Sequence, residues 1–247
     1  MQHRSKKIKK SFFIILVVLI VLSGSSAIYL GNYYHSVDVE KYMTSSSEVT
    51  IKKFDKGWFF DGAGEEKALI FYPGAKVATE AYAPLMYQLA ESGIDCFLVD
   101  MPFHMAFFGM NRAEEIMQEY NYEAWYLGGH SLGGAMAANF AADYVEDHTD
   151  GIRGLLLLAA YPTKDLSTSD MSVVTVYGSE DGVLNMDKIV AGREELMPQD
   201  YKEVCIEGGN HAQFGSYGTQ KGDGTAAIPA EEQWARTVEV FVGDESE

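Results

Sequence analysis

Cysteine is nearly absent. The 247 residues hold two, Cys96 and Cys205, which excludes a disulfide framework and leaves the compartment unassigned by cysteine usage. Both lie in apolar runs that read as well-separated core strands, so two buried, unreactive thiols are expected. No group of His, Cys, Asp and Glu has the spacing of metal ligands, so neither a metal nor a cofactor is expected. Basic charge is scarce beyond the first ten residues. Arg4, Lys6, Lys7, Lys9 and Lys10 account for five of the 19 basic residues; the remainder carries 14 basic against 36 acidic, a balance of −22. Such a body repels polyanions and anionic headgroups, which excludes a nucleic-acid partner; its acidity is read as serving solubility. No internal repeat is present.

What the chain does have begins with one long apolar stretch. Phe12 to Leu22 is unbroken, and no charge intervenes before Leu30. Residues 12–30 are just long enough to cross a bilayer as a signal anchor. Ser25 and Ala27 also offer a small-x-small site, so a cleaved signal peptide is the second reading. Apolar Ile28-Tyr29-Leu30 beyond that site favours the anchor, and no lipobox cysteine is present. On either reading the basic leader stays in the cytoplasm and the body lies outside it. Residues 1–30 thus form the leader and membrane segment, 31–48 a polar, Tyr-rich stalk, and 49–247 one domain, expected as a monomer.

Within the body, apolar runs alternate with helical patterns. Val49–Phe54 and Gly57–Phe60 read as an opening hairpin. Ala68–Tyr72 reads as a strand buried on both faces of a parallel sheet, and Cys96–Val99, Ala124–Leu127, Gly154–Ala160, Val173–Tyr177 and Lys202–Ile206 as further strands. Helices are expected over Glu80–Ser92, Asn111–Glu119 with an Asn cap, Ala135–Tyr144, Met186–Leu196 and Ala230–Phe241, the last opened by Pro229. The alternation predicts an α/β fold with a doubly wound, mostly parallel sheet flanked by helices. A Gly-rich loop, Gly208 to Ala227, is expected to pack near its histidine.

Gly129-His130-Ser131-Leu132-Gly133 is a G-x-S-x-G sequence between a strand and a helix, the context of a nucleophile elbow. A turn that sharp strains the serine backbone, and the flanking glycines avoid collisions with strand and helix. Ser131 is the candidate nucleophile, and the Leu132 amide, at a helix N-terminus, a candidate oxyanion donor. Downstream, Val173–Tyr177 runs into Gly178-Ser179-Glu180-Asp181-Gly182. Asp181 is the candidate acid, with Glu180 and Asp165 as rivals. His211, in Gly208-Gly209-Asn210-His211, is the candidate base, because it alone of six histidines lies in a strand-to-helix loop after Asp181; His104 is its competitor. His130 is expected to pack beside the sheet. The second oxyanion donor is expected from Pro73-Gly74-Ala75, at the Ala75 amide. Lys76, His104, Phe103 and Phe214 are candidate substrate-binding residues, with Phe107, Phe108 and Tyr217 as further loop aromatics. Asp100 is read as a partner for a neighbouring loop or a selector of substrate.

These motifs, together with Phe71-Tyr72-Pro73-Gly74-Ala75-Lys76-Val77 and Gly208–Gly215, resemble the α/β-hydrolase superfamily, over Ala68 to about Val240. They look most like single-domain bacterial members without a lid, carried behind an N-terminal membrane segment. The resemblance implies Ser131, Asp181 and His211 as a triad, the Ala75 and Leu132 amides as the oxyanion hole, and no large cap domain, since only about a dozen residues separate Ala160 from Val173. It implies a serine hydrolase acting on a small-molecule or lipid-like ester through an acyl-enzyme. A thioesterase, lactonase, amidase or acyltransferase would use the same triad, and a non-catalytic surface binding protein would keep the fold alone.

Overall fold

A computed structural model describes residues 30–148 and 151–244, with residues 16–18, 20 and 24 before them. The chain divides into two units, Met1–Tyr33 and Tyr34–Glu247. Most of the apolar run 12–30 lies outside the described residues, and so does the choice between anchor and cleaved leader. Among the described residues no helix is long and apolar enough to cross a membrane.

In the second unit the apolar runs become one sheet: β1 (Thr50–Phe54), β2 (Gly57–Asp61), β3 (Lys67–Tyr72), β4 (Asp95–Val99), β5 (Ala124–His130), β6 (Ile152–Leu158), β7 (Ser172–Gly178) and β8 (Tyr201–Ile206). The spatial order is β1-β2-β4-β3-β5-β6-β7-β8. β1 and β2 form the hairpin, and β2 runs antiparallel to β4; from β4 to β8 every pairing is parallel. The helices are α1 (Ala83–Glu91), α2 (Arg112–Glu119), α3 (Leu132–Asp147), α4 (Met186–Glu195) and α5 (Ala230–Asp244). Side chains alternate across each strand. In β3, Leu69 and Phe71 pack with Leu85 of α1 and Trp234 of α5, while Ala68, Ile70 and Tyr72 pack with Ile116 of α2 and Ala138 of α3. Both faces are covered, which is why the central strands are apolar throughout.

Four local expectations change. Pro84 cannot donate within a helix, so the expected helix over Glu80–Ser92 opens as a 3-10 turn, Thr79–Tyr82, with Pro84 in the first turn of α1. Asn111 holds the cap position of α2 but makes no side-chain capping bond. Cys96 is buried, whereas Cys205 is exposed, because β8 is the edge strand and is not covered along its whole length. The segment read as a stalk lies, from Tyr34 onward, against the body: the Tyr34 amide donates to Lys76 O (2.7 Å), Ala78 N donates to Tyr34 O (2.8 Å), and Val39 is buried. Between β6 and β7 the chain forms no helix and no cap domain. The ends of the parallel strands are therefore open on the side where β5 turns into α3.

Candidate active site

That turn is centred on Ser131, which has φ 53° and ψ −122°, a conformation that L residues adopt only when their surroundings enforce it. The enforcement is visible on both sides. Ser131 N donates to Leu158 O at 2.9 Å, and Ala135 N donates to Ser131 O at 3.1 Å. A Cβ on Gly133 would lie 2.1 Å from Tyr72 O, and one on Gly129 would lie 2.5 Å from the Gly133 carbonyl carbon. Both glycines are required because backbone from β3, β5 and α3 crosses there with no room for a methyl group.

Asp181 and His211 meet across adjacent loops. Ser179 N donates to Ile206 O and Glu180 N to Gly209 O, so the loops after β7 and β8 run side by side. Asp181 Oδ1 accepts the amides of Val183 and Leu184, each at 2.8 Å, and Oδ2 lies 2.8 Å from His211 Nδ1. The two side chains are 2% and 1% exposed. With both carboxylate oxygens accepting, Asp181 fixes the imidazole proton on Nδ1 and leaves the Nε2 lone pair available. His211 Nε2 is buried and has no hydrogen-bond partner among the described residues. The rival carboxylates go elsewhere: Glu180 reaches Ser179 Oγ, and Asp165 accepts the Ser167 amide.

Ser131 and His211 line one cavity of about 340 Å³, closed by Leu132, Met136, Tyr161, Val183 and Leu184 among others. Its size is at the lower end for ligand sites. Among the described residues neither the Ala75 nor the Leu132 amide has an acceptor. The other expected substrate-binding residues do not line this cavity. Lys76 (φ 58°) joins a neighbouring loop, its amide donating to His104 O at 2.7 Å. Phe103 is exposed and Phe214 is fully buried in the core. His104 is partly buried, which lowers its imidazole pKa. Asp100 pairs with Lys53 of β1 at 3.0 Å, rather than with a loop side chain. A wider depression of about 660 Å³ opens at the opposite ends of β5, β6 and β7, near Glu123, Arg153 and Met171, far from Ser131.

Several positioning residues escaped the sequence reading. Asp223, in the Gly-rich loop, accepts the amides of Gly182 and His211 on Oδ1 (3.2 Å each) and of Ala212 on Oδ2 (2.8 Å). One carboxylate thus ties the acid loop to the base loop. Gln233 of α5 makes a reciprocal pair with the Asn210 backbone, accepting at 3.0 Å and donating at 2.8 Å. Gly74 N donates to the Tyr82 hydroxyl (3.0 Å), which lies 2.7 Å from His130 Nδ1. The His130 ring is 4.4 Å from that of His211. Burial, and then His211, push the His130 pKa well below the usual histidine range. The Gly222-Asp223-Gly224 turn was the only local signal for any of these.

The sequence pattern of the alpha/beta hydrolase family matches residues 68–235. Solved structures similar to this chain include Est1E from Butyrivibrio proteoclasticus (16% identity, TM-score 0.56, covering 81% of this chain and 100% of that one). Carboxyl esterase 2 from the mycorrhizal fungus Tuber melanosporum has 13% identity and TM-score 0.60, with 85% and 89% covered. A monoacylglycerol lipase from Paleococcus ferrophilus has 15% identity and TM-score 0.57, with 80% and 99% covered. At such identities the likeness carries the fold. No curated protein matches the chain in sequence.

Proposed function

The chain belongs to the alpha/beta hydrolase family, and on that premise we propose that it is a serine hydrolase cleaving a carboxylic ester through an acyl-enzyme. The observation that carries this reading is the imidazole of His211, which lines one cavity with Ser131: Nδ1 is held by Asp181, and Nε2 is buried with no partner among the described residues. An orphaned buried acceptor is costly unless it has work to do. Here the work is to take the Ser131 proton as Oγ attacks the ester carbonyl.

The developing oxyanion lies at the amides of Ala75 and Leu132, the second at the N-terminus of α3 where the helix dipole favours negative charge. Asp181 stabilises the imidazolium that forms without itself becoming protonated. His211 then gives the proton to the departing alkoxide, which leaves as the alcohol. A water molecule, deprotonated by the same Nε2, hydrolyses the acyl-serine and restores the starting state. Ester substrates are favoured because the similar structures named above include a carboxyl esterase and a monoacylglycerol lipase. The basic leader and the apolar run 12–30 support a membrane-held chain with its body outside the cytoplasm.

The test is labelling of the full chain with a fluorophosphonate, comparing wild type with Ser131→Ala. Wild type labels and the variant does not. A folded wild-type protein that fails to label would overturn the mechanism and leave the surface binding protein as the better reading. A panel of short esters, thioesters, lactones and amides then identifies the substrate class.

A further inference from the structure

The large apolar side chains that the second unit leaves exposed, among the described residues, collect at the open end of the sheet. Phe103, Phe107 and Phe108 follow β4; Val183, Met186 and Val190 follow β7; their exposure runs from 38% to 56%. The remaining one, Val37, is joined there too, its amide donating to Ser216 O. Lone exposed apolar residues need no explanation, but a confined group does. The aromatic trio is self-stacked, with Phe107 and Phe108 rings 4.1 Å apart and Phe103 and Phe108 5.6 Å apart. Residues 101–111 contain no acidic or basic side chain apart from His104.

This group belongs to segments that follow the same strand ends as the Ser131 cavity. Val183 lines it directly. On the other side, the turn Ala106–Phe108 packs against α3, whose first residue follows Ser131. His104 O accepts from Lys76 N, one residue beyond Ala75. The chain also enters the body at this edge: Tyr34 is hydrogen-bonded to Lys76 and Ala78. In sequence, the apolar run ends at Leu30, four positions before Tyr34. Even fully extended, four residues reach only about 14 Å. A run 12–30 held in a bilayer therefore keeps Tyr34 within that reach of the membrane surface.

We propose that the aromatic trio and the Val183–Val190 rim dock the cavity mouth onto a zwitterionic lipid surface, and that the substrate is an acyl ester dissolved in that surface. The proposal rests on the serine-hydrolase reading for its chemistry and on the apolar run for its tether. Aromatic rings suit the headgroup level, where an apolar body meets water. The net charge of −22 on the body opposes attachment to anionic lipid, so contact depends on these apolar side chains.

The experiment uses the full chain reconstituted in phosphatidylcholine vesicles. Phe107→Ser with Phe108→Ser lowers hydrolysis of a long-chain monoacylglycerol in the vesicles at least about tenfold, given the transfer cost of two phenyl rings. Hydrolysis of a soluble acetate ester stays within about twofold, because neither ring lines the cavity. Equal loss on both substrates, or loss on neither, overturns the docking. A readout independent of turnover is Phe108→Trp, whose emission is quenched by brominated phosphatidylcholine, in Ser131→Ala as well. Glu65→Trp, in the loop before β3, is the unquenched control. Emission from Phe108→Trp that is indifferent to brominated lipid refutes the docking even in an inactive enzyme, whereas absent fluorophosphonate labelling refutes the hydrolase reading. Self-association abolished by the paired serine substitutions would assign the surface to a second copy and overturn the proposal.

Discussion

Tyr82→Phe removes one oxygen and leaves the ring. Tyr82 is fully buried, and its hydroxyl accepts from Gly74 N at 3.0 Å and contacts His130 Nδ1 at 2.7 Å. Because Gly74 can only donate, the single hydroxyl proton is directed to Nδ1. The substitution therefore strands a buried amide and a buried ring nitrogen. Each costs about 1–3 kcal/mol, so the loss centres near ~4 kcal/mol. For a domain of this size that lowers the melting temperature by about 8–16 °C. The amide released is one residue from Ala75, the expected oxyanion donor. An ångström of drift there lowers kcat by about tenfold to a hundredfold with little change in KM. Thermal melts and ester turnover measure both effects. Tyr87→Phe is the control, since its hydroxyl donates to Ser46 Oγ at an exposed position. If Tyr82→Phe melts and turns over as wild type does, the Tyr82–His130 link does not hold the oxyanion loop.

Asp181→Asn keeps an acceptor for Val183 and Leu184 but opposes an amide NH2 to His211 Nδ1, so the ring must turn to the wrong tautomer. It retains its melting temperature within a few degrees and loses about 10³–10⁴-fold in kcat, and retention of more than a tenth of the activity would refute the role given to Asp181. Asp223→Ala frees the amides of Gly182, His211 and Ala212 together. It destabilises by roughly 2–4 kcal/mol and lowers kcat at least tenfold; Asp223→Asn, which keeps the Oδ1 contacts, recovers most of both, and equal defects in the two variants would contradict the assignment. Stability also falls in acid. His130 has its folded pKa depressed, so below about pH 6.5 the unfolded chain binds a proton that the native state refuses. Stability is complete above that pH and declines by up to about 1.4 kcal/mol per unit below it. Urea unfolding from pH 7.5 to 5 records the slope, which His130→Asn flattens; His104, with the same sign but partly exposed, leaves a smaller residue.

What was legible in the chain was what is contiguous. Gly129–Gly133 carries its own geometry, because the strain at Ser131 and the clearance at both glycines are settled within five residues and the strand beside them. Asp181 and His211 were legible through chain order, each following a strand that had to lie in the sheet. Asp223 was not, because it acts on amides 41 and 12 residues away, and a carboxylate that accepts from backbone leaves no partner side chain to look for. Cys205 misled for a related reason. An apolar run identifies a strand, but only the sheet order makes β8 an edge. The docking of residues 34–48 was hidden in backbone hydrogen bonds, which polarity does not report.

His130 joins these two kinds of information. It occupies the variable position of the motif, so pattern alone assigns it nothing. Its place beside the strained serine nevertheless puts the ring 4.4 Å from His211 and within a hydrogen bond of Tyr82. In the proposed mechanism His211 becomes a cation during acylation. A protonated His130 at that distance would raise the energy of this state. Burial keeps His130 neutral, and the proton from Tyr82 occupies Nδ1, the one ring atom through which it reaches the oxyanion loop. Elbow, base and oxyanion loop are therefore coupled through one residue. At the x of G-x-S-x-G this chain requires a side chain that accepts from Tyr82 and stays uncharged beside His211, a condition that Asn meets and Lys or Arg does not.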